Sequence, residues 1–351
     1  MIRFVTLALL ALMMLAPAAA QAPEAALTLQ HDGGVVTAAW NADESKILSA
    51  TERGLVQVWS ADDGASLLEI SHGGNPVTHA LWMRDGAAIL SADESGLVLL
   101  SAADDAAQLL SWQLAGMPIA LRPNDAGTAL LAMTRAGAGA ILSFSDGERL
   151  IDFAAPVAVS GAVWSADESE ARAWTEEGRI YVWELAGGAM RSFDLPSRGM
   201  LLGVDWSADD SRLLAWYTNG TVNVYRTEGA GVSGRAISGV RHNSFVQRAI
   251  WSRDESLVMS WAGDDTVHIW SVAGGRSQQV FRHEDWVIGA RWDPAETRVL
   301  SWSHIYVYLW ESETQWQRFR HGNLARGAIW NSDATRILSW SWDGTARVWD
   351  V

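Results

Sequence analysis

From Val35 onward the chain repeats one pattern: an apolar run closing on tryptophan, a polar turn, a second apolar run, another turn, and a third run closing on an aromatic. The runs that end at Trp40, Trp82, Trp164, Trp206, Trp251, Trp292 and Trp330 read VVTAAW, VTHALW, AVSGAVW, LLGVDW, VQRAIW, VIGARW and LARGAIW. Turns such as NADES, SADDS and SRDES follow, then runs such as KILSA, RLLAW and RILSW. The second aromatic falls nineteen residues after the first in five units, at Trp59, Trp183, Tyr225, Trp270 and Trp349, and one residue sooner at Trp310. A fourth run closes each unit, SLLEI at 66–70 and SQQVF at 277–281 being examples. Short apolar and β-branched runs bounded by Asp, Ser, Asn and Gly predict strands, four to a unit.

The step from Trp82 to Trp164 is 82 residues, double the others, and Arg122 of PIALRPND stands where the missing marker belongs. Eight units result. A period of about 40 residues is the signature of stacked repeats, and a lone four-stranded sheet cannot hide both of its faces without neighbours. The expectation is therefore an all-β, eight-bladed β-propeller of four-stranded antiparallel blades. The blades are placed at 34–70, 75–112, 116–153, 158–195, 200–240, 245–281, 286–319 and 324–351. The last unit stops after its third strand, and ALTLQH at 26–31 matches SLLEISH at 66–72. The N-terminal strand is thus expected to complete the last blade and close the ring. Unit three lacks both tryptophans and contains AGAGA at 136–140, which leaves open seven blades plus an irregular segment at 113–153.

Ahead of the repeats come Arg3, an apolar run from Phe4 to Leu15, Pro17 and Ala18-Ala19-Ala20. That order predicts a signal peptide over 1–20, cut after Ala20, and a secreted or periplasmic protein of one domain, 21–351. The apolar run is too short for a membrane span, which takes about 20 residues. No cysteine is present, so disulfides and thiolate metal sites are excluded. The net charge of −15 argues against nucleic acid and anionic lipid as partners, since both are bound by displacing counterions with Lys and Arg.

On these residues the chain resembles the WD-repeat family over nearly all of 25–351. The last unit carries the likeness best: His321, GAIW, NSD, then RILSWSWDGTARVWD. The resemblance implies a structural hydrogen-bonded set of His321, Ser339 or Ser341, Asp343 and Trp349. His242, Asp264 and Trp270 fit nearly as well. His31 with Trp59, His72 with Ser101 and His283 with Trp310 lack the aspartate, and Arg53, Ser95 and His304 occupy its position. The resemblance also implies a non-catalytic scaffold that binds a protein or peptide, and a monomer is expected.

Nothing in the sequence gathers catalytic chemistry. His31, His72, His242, His283 and His321 recur once per unit, so a ring keeps them too far apart to share a metal. The acidic turns Asp43-Glu44, Asp167-Glu168, Asp209-Asp210 and Asp254-Glu255 repeat in register and read as turn formers. No metal, no cofactor and no catalytic residue is assigned. Two columns stand out instead. On the second strand, Trp174, Trp216, Trp261, Trp302 and Trp340 follow Ala50, Ala92 and Ala132, a column that reads as packing between blades or as a platform for a sugar. Six residues before each marker the chain has Gly34, Pro76, Gly116 and Ala158, then Met200, Phe245, Trp286 and Leu324. With Trp342, those last four predict an apolar arc for a partner, opposite Glu52, Glu94, Glu176 and Glu177. A carbohydrate or small-ligand binder is the alternative, and a propeller enzyme a more distant one.

Overall fold

The computed structural model describes residues 23–196, 199–228 and 231–351, so the leader expected over 1–20 lies outside the described residues. The described chain forms eight antiparallel sheets and, among these residues, no helix. Blade 1 shows the plan: Val35–Trp40, Lys46–Thr51, Leu55–Ser60 and Ser66–Ser71 lie side by side in chain order. First strands of adjacent blades touch one another and therefore line the axis of the ring, leaving the fourth strands outside. Blade 5 alone adds a small hairpin, Gly231–Val232, before Ser238–Arg241 supplies its outer strand.

The unit without tryptophans is a complete blade, built from Pro118–Pro123, Ala129–Thr134, Ala138–Ser143 and Arg149–Ala154. Its AGAGA segment is a turn and a strand. Gly137 holds a φ of +96° in the turn, and a Cβ on Gly139 would stand 2.2 Å from the ring of Phe153. Small residues are what let this strand run beneath that ring, and the irregular-insert alternative falls away.

The ring closes as the end segments predict. Leu27–Gln30 joins Thr345–Asp350 antiparallel, Leu27 facing Val348 and Gln30 facing Thr345. Leu29 and Val348 then share a core with Val35, Ile47 and Trp59 of blade 1. Every blade boundary is apolar in the same manner: Leu48, Val58 and Ile70 meet Ala80, Ile89 and Leu99, and Met259, Ile269 and Phe281 meet Val299 and Tyr308. Each such side chain contributes about 1.5–3 kcal/mol by leaving water.

The tryptophan column on the second strand has a steric counterpart on the first. Gly161, Gly203, Gly289 and Gly327 pair in register with Trp174, Trp216, Trp302 and Trp340. A Cβ on any of the four would meet the indole at 2.0–2.2 Å. Where the second strand carries Ala50 or Ala92 instead, the facing residue is Thr37 or His79. Volume is thus conserved across these pairs, whereas Trp261 faces Arg248. With their faces laid on a neighbouring strand, these indoles offer no open platform for a sugar ring.

On the rim formed by the turns between first and second strands, the paired acids divide their work. The first of each pair caps its own turn: Asp43, Asp167, Asp209 and Asp254 accept the backbone N–H of the serine two residues on. The second sits at positive φ and reaches back to the preceding blade. Asp210 accepts from the Ala166 amide at 2.9 Å and Glu296, in the equivalent place, from Arg253 at 2.6 Å. Glu44, Glu168 and Glu255 hold Ser332, Asp125 and Ala208 in the same way. Arginines reinforce these latches from the second strand. Arg172 binds Asp210 at 2.6 Å and Arg212 binds Glu255 at 2.5 Å. Their guanidinium groups lie 5.1 and 5.0 Å from the rings of Trp206 and Trp251 of the next blade, close enough for cation–π attraction. Reading these acids as turn formers described only half of them.

Candidate docking face

In each blade the loop before the first strand is tied to the turn between the second and third. The amides of Thr218, Gly263 and Trp342 donate to the carbonyls of Met200, Phe245 and Leu324, each at 3.0 Å. Those loops and turns therefore share one face, opposite the latched rim. On it Met200, Trp286 and Trp342 are 51%, 45% and 45% exposed, unusually open for large apolar side chains. Phe245 and Leu324 are half-buried. Phe245 leans over Gly263 and meets Trp286 edge to face, with 6.0 Å between ring centres. Trp342 lies beside Gly34 of blade 1 and under the Arg326 guanidinium, 5.0 Å from its ring. The five residues predicted from the sequence thus run along blades 5 to 8 of one face. Glu52, Glu94, Glu176 and Glu177 stand exposed on the turns of blades 1, 2 and 4.

Beneath this face lie the histidine sets. In blade 8, His321 Nε2 and Ser339 Oγ are 2.8 Å apart, and the Trp349 indole N–H donates to the same oxygen at 2.8 Å. Asp343 accepts from Thr345 at 2.6 Å, and Thr345 Oγ1 lies 3.3 Å from His321 Nδ1. Of the two serines in question, Ser341 instead donates to the Asn323 carbonyl. Blade 6 repeats the set with His242, Ser260, Asp264, Thr266 and Trp270. Blade 2 departs from expectation. His72 pairs with Ser91, not Ser101, and it does have a carboxylate: Asp93, fully buried, 3.2 Å from Nδ1. Asp93 lies two residues before Ser95, at the position of Ser341, so a spacing taken from the last unit passes over it.

Burial sets the charge of these groups. It pulls the pKa of His31 down to about 4 and that of His283 to about 3, so both are neutral imidazoles in the fold. His79 and His268 are lowered to about 4 by the same cause. His268 packs 4.2 Å from the His242 ring, and His304 occupies a turn at φ 45°. Among the described residues no group of three or more His, Asp and Glu side chains is placed to hold a metal ion.

The WD domain, G-beta repeat model matches residues 318–350. No curated protein matches the chain. Among solved structures it is similar to the C-terminal WD40 domain of Sif2, with a TM-score of 0.78 and 16% identity over 94% of this chain and 99% of that one. It is similar to Sqt1 of Saccharomyces cerevisiae, at TM-score 0.80 and 13% identity over 94% of this chain and 100% of the other. The computationally designed Ika8 protein gives TM-score 0.76 and 17% identity over 92% of this chain and 98% of its own. The chain is thus an eight-bladed β-propeller, the fold of these solved structures, and its last unit matches the WD domain, G-beta repeat model.

Proposed function

We propose that this protein is a non-catalytic scaffold, secreted or periplasmic, that holds a protein or peptide on the face bearing Met200, Phe245, Trp286, Leu324 and Trp342. The observation that carries the reading is the run of large apolar side chains, three of them close to half exposed, on consecutive blades of one face. A buried Trp or Phe is worth most where it fills a partner's pocket, and such residues dominate binding energy at interfaces. WD40 propeller domains in general mediate protein interactions, which supports the same reading. The extracytoplasmic location rests on the order of Arg3, the Phe4 to Leu15 run and the small residues before Gln21.

The test is purification of bound protein from the native culture medium or envelope with the wild type and with Trp286→Ala/Trp342→Ala. The expected result is loss of one specific partner with an unchanged melting temperature. A partner retained by the double variant would overturn the docking face. So would a collapse in melting temperature with no specific loss, because the two rings would then be packing elements.

A further inference from the structure

The axis of the ring carries charge of the opposite sign to the rest of the molecule. First strands contribute Arg122 from blade 3, Arg248 from blade 6 and Arg291 from blade 7. All three keep open surface, yet burial inside the ring lowers the pKa of Arg122 and Arg291, and Arg248 bears electrostatically on both. That combination describes side chains standing in a channel. Among the described residues none of the three guanidinium groups has a hydrogen bond or an ion pair. The rim arginines Arg172 and Arg212, in contrast, are both matched with carboxylates. Among the described residues Asp205 is the acid that acts on Arg122 and Arg248; it forms no salt bridge with them, and burial raises its pKa to about 6.

Arg122, Arg248 and Asp205 line a cavity of about 280 Å³ together with Trp174, Trp216 and Gln247. Here the packing between blades is incomplete in a telling way. Trp261 and Trp340 each donate their indole N–H to a carbonyl of the next blade, that of Ile288 just before the first strand or that of Val36 within it, at 3.1 Å. The equivalent residues facing Trp174 and Trp216 are Leu202 and Gln247, and those two indoles find no acceptor, nor does that of Trp302 in the same column away from the cavity. Buried polar groups are ordinarily paired. The cavity is therefore lined by two arginines and a glutamine against a single carboxylate, with the Trp174 and Trp216 rings in its wall.

We propose that this axial cavity is a binding site for a small multivalent anion, of the polycarboxylate or polyphosphate class, held by Arg122 and Arg248. Guanidinium groups match the geometry of both classes and bind them by charge-assisted hydrogen bonds. A neutral sugar would leave the arginines uncompensated. The site is separate from the docking face, and its failure would leave that reading untouched.

Citrate and pyrophosphate are the probes, titrated at matched ionic strength against acetate and glucose, with tryptophan fluorescence and calorimetry as readouts. At least one of the two is expected to bind with saturation and at least about tenfold more tightly than acetate, since an extra charge-assisted contact contributes roughly that factor. Whichever binds better assigns the class. Arg248→Gln and Arg122→Gln/Arg248→Gln are expected to weaken binding by about tenfold or more, while Arg179→Gln, on the outer surface, leaves it unchanged. Equal responses to citrate, pyrophosphate and acetate would overturn the proposal, as would a folded double variant that binds like the wild type. Should the variants fail to fold, the comparison of probes on the wild type decides alone.

Discussion

The rim and the axis of this ring use the same residue type to different ends. At the rim, Arg172 and Arg212 each meet a carboxylate and lie against a tryptophan of the next blade. Every part of the side chain is engaged, and removing it strands an acid. At the axis, Arg122, Arg248 and Arg291 form no hydrogen bond or ion pair among the described residues, and Arg248 repels the other two. A charge that is neutralised in place holds blades together; a charge left unmatched costs stability and is available to something else.

The largest effect should separate packing at the axis from charge at the axis. Gly327→Ala drives a Cβ to 2.0 Å from the Trp340 ring, and overpacking of this kind costs about 1–3 kcal/mol. A clear drop in melting temperature is expected; an unchanged one would mean the indole moves freely. Next, Arg212→Ala leaves Glu255 without its cation while the pair is mostly buried. The expected loss is roughly 1–2 kcal/mol, between the values for exposed and for buried pairs, read by denaturant unfolding.

Acid should act in opposite directions on the stability of the fold and on anion binding at the axis. His31, His79, His268 and His283 have folded pKa values of about 4, 4, 4 and 3, below the 6.5 of a free histidine. Only the unfolded chain takes up their protons between those limits, so their contribution is complete above pH 6.5 and drains away as pH falls. Asp167, held near 2 by the Ser165 and Ser169 hydroxyls, adds to the loss below pH 4. Melting temperature should therefore decline steadily from pH 7 to pH 4. Over the upper part of that range Asp205, with its pKa near 6, gives up its negative charge. His79, with a pKa of about 4, stays neutral over that range, and Glu255 is the other acid that Asp205 feels. Sulfate, which does not titrate there, should then bind the axial cavity more tightly at pH 5 than at pH 7. The smallest effect belongs to Arg248→Gln without ligand: a change within about 0.5 kcal/mol, tending toward gain as repulsion is relieved. A loss as large as that of Arg212→Ala would erase the distinction between rim and axis.

The blades were legible because the tryptophan markers keep step in seven units and leave room for one more at Arg122, and ring closure followed from ALTLQH and SLLEISH sharing one pattern. Features that join different blades were not. The second acid of each turn looks like the first, and only a positive φ aims it backward across the blade boundary. Asp93 was missed because a carboxylate can reach His72 from either of two positions along the turn. The axial charges had a signal that spacing alone hides. Arg122 occupies a marker position, Arg248 lies three residues before Trp251, and Asp205 and Arg291 lie immediately before theirs. Collecting the polar residues of all first strands would have gathered them. The apolar arc was visible in sequence; that Phe245 and Leu324 would be half sheltered was not, since shelter comes from Trp286 and the neighbouring turns.

The pairing of Leu27–Gln30 with Thr345–Asp350 sets an order on assembly. A chain emerging N-terminus first exposes Leu27 and Leu29 long before their partner strand is made or delivered. Seven blades can form while that short strand waits, but the eighth cannot be finished until Thr345–Asp350 arrives. Closure of the ring thereby waits on Thr345–Asp350, and a chain in which that strand has not yet been made is an open arc with two unsatisfied edges.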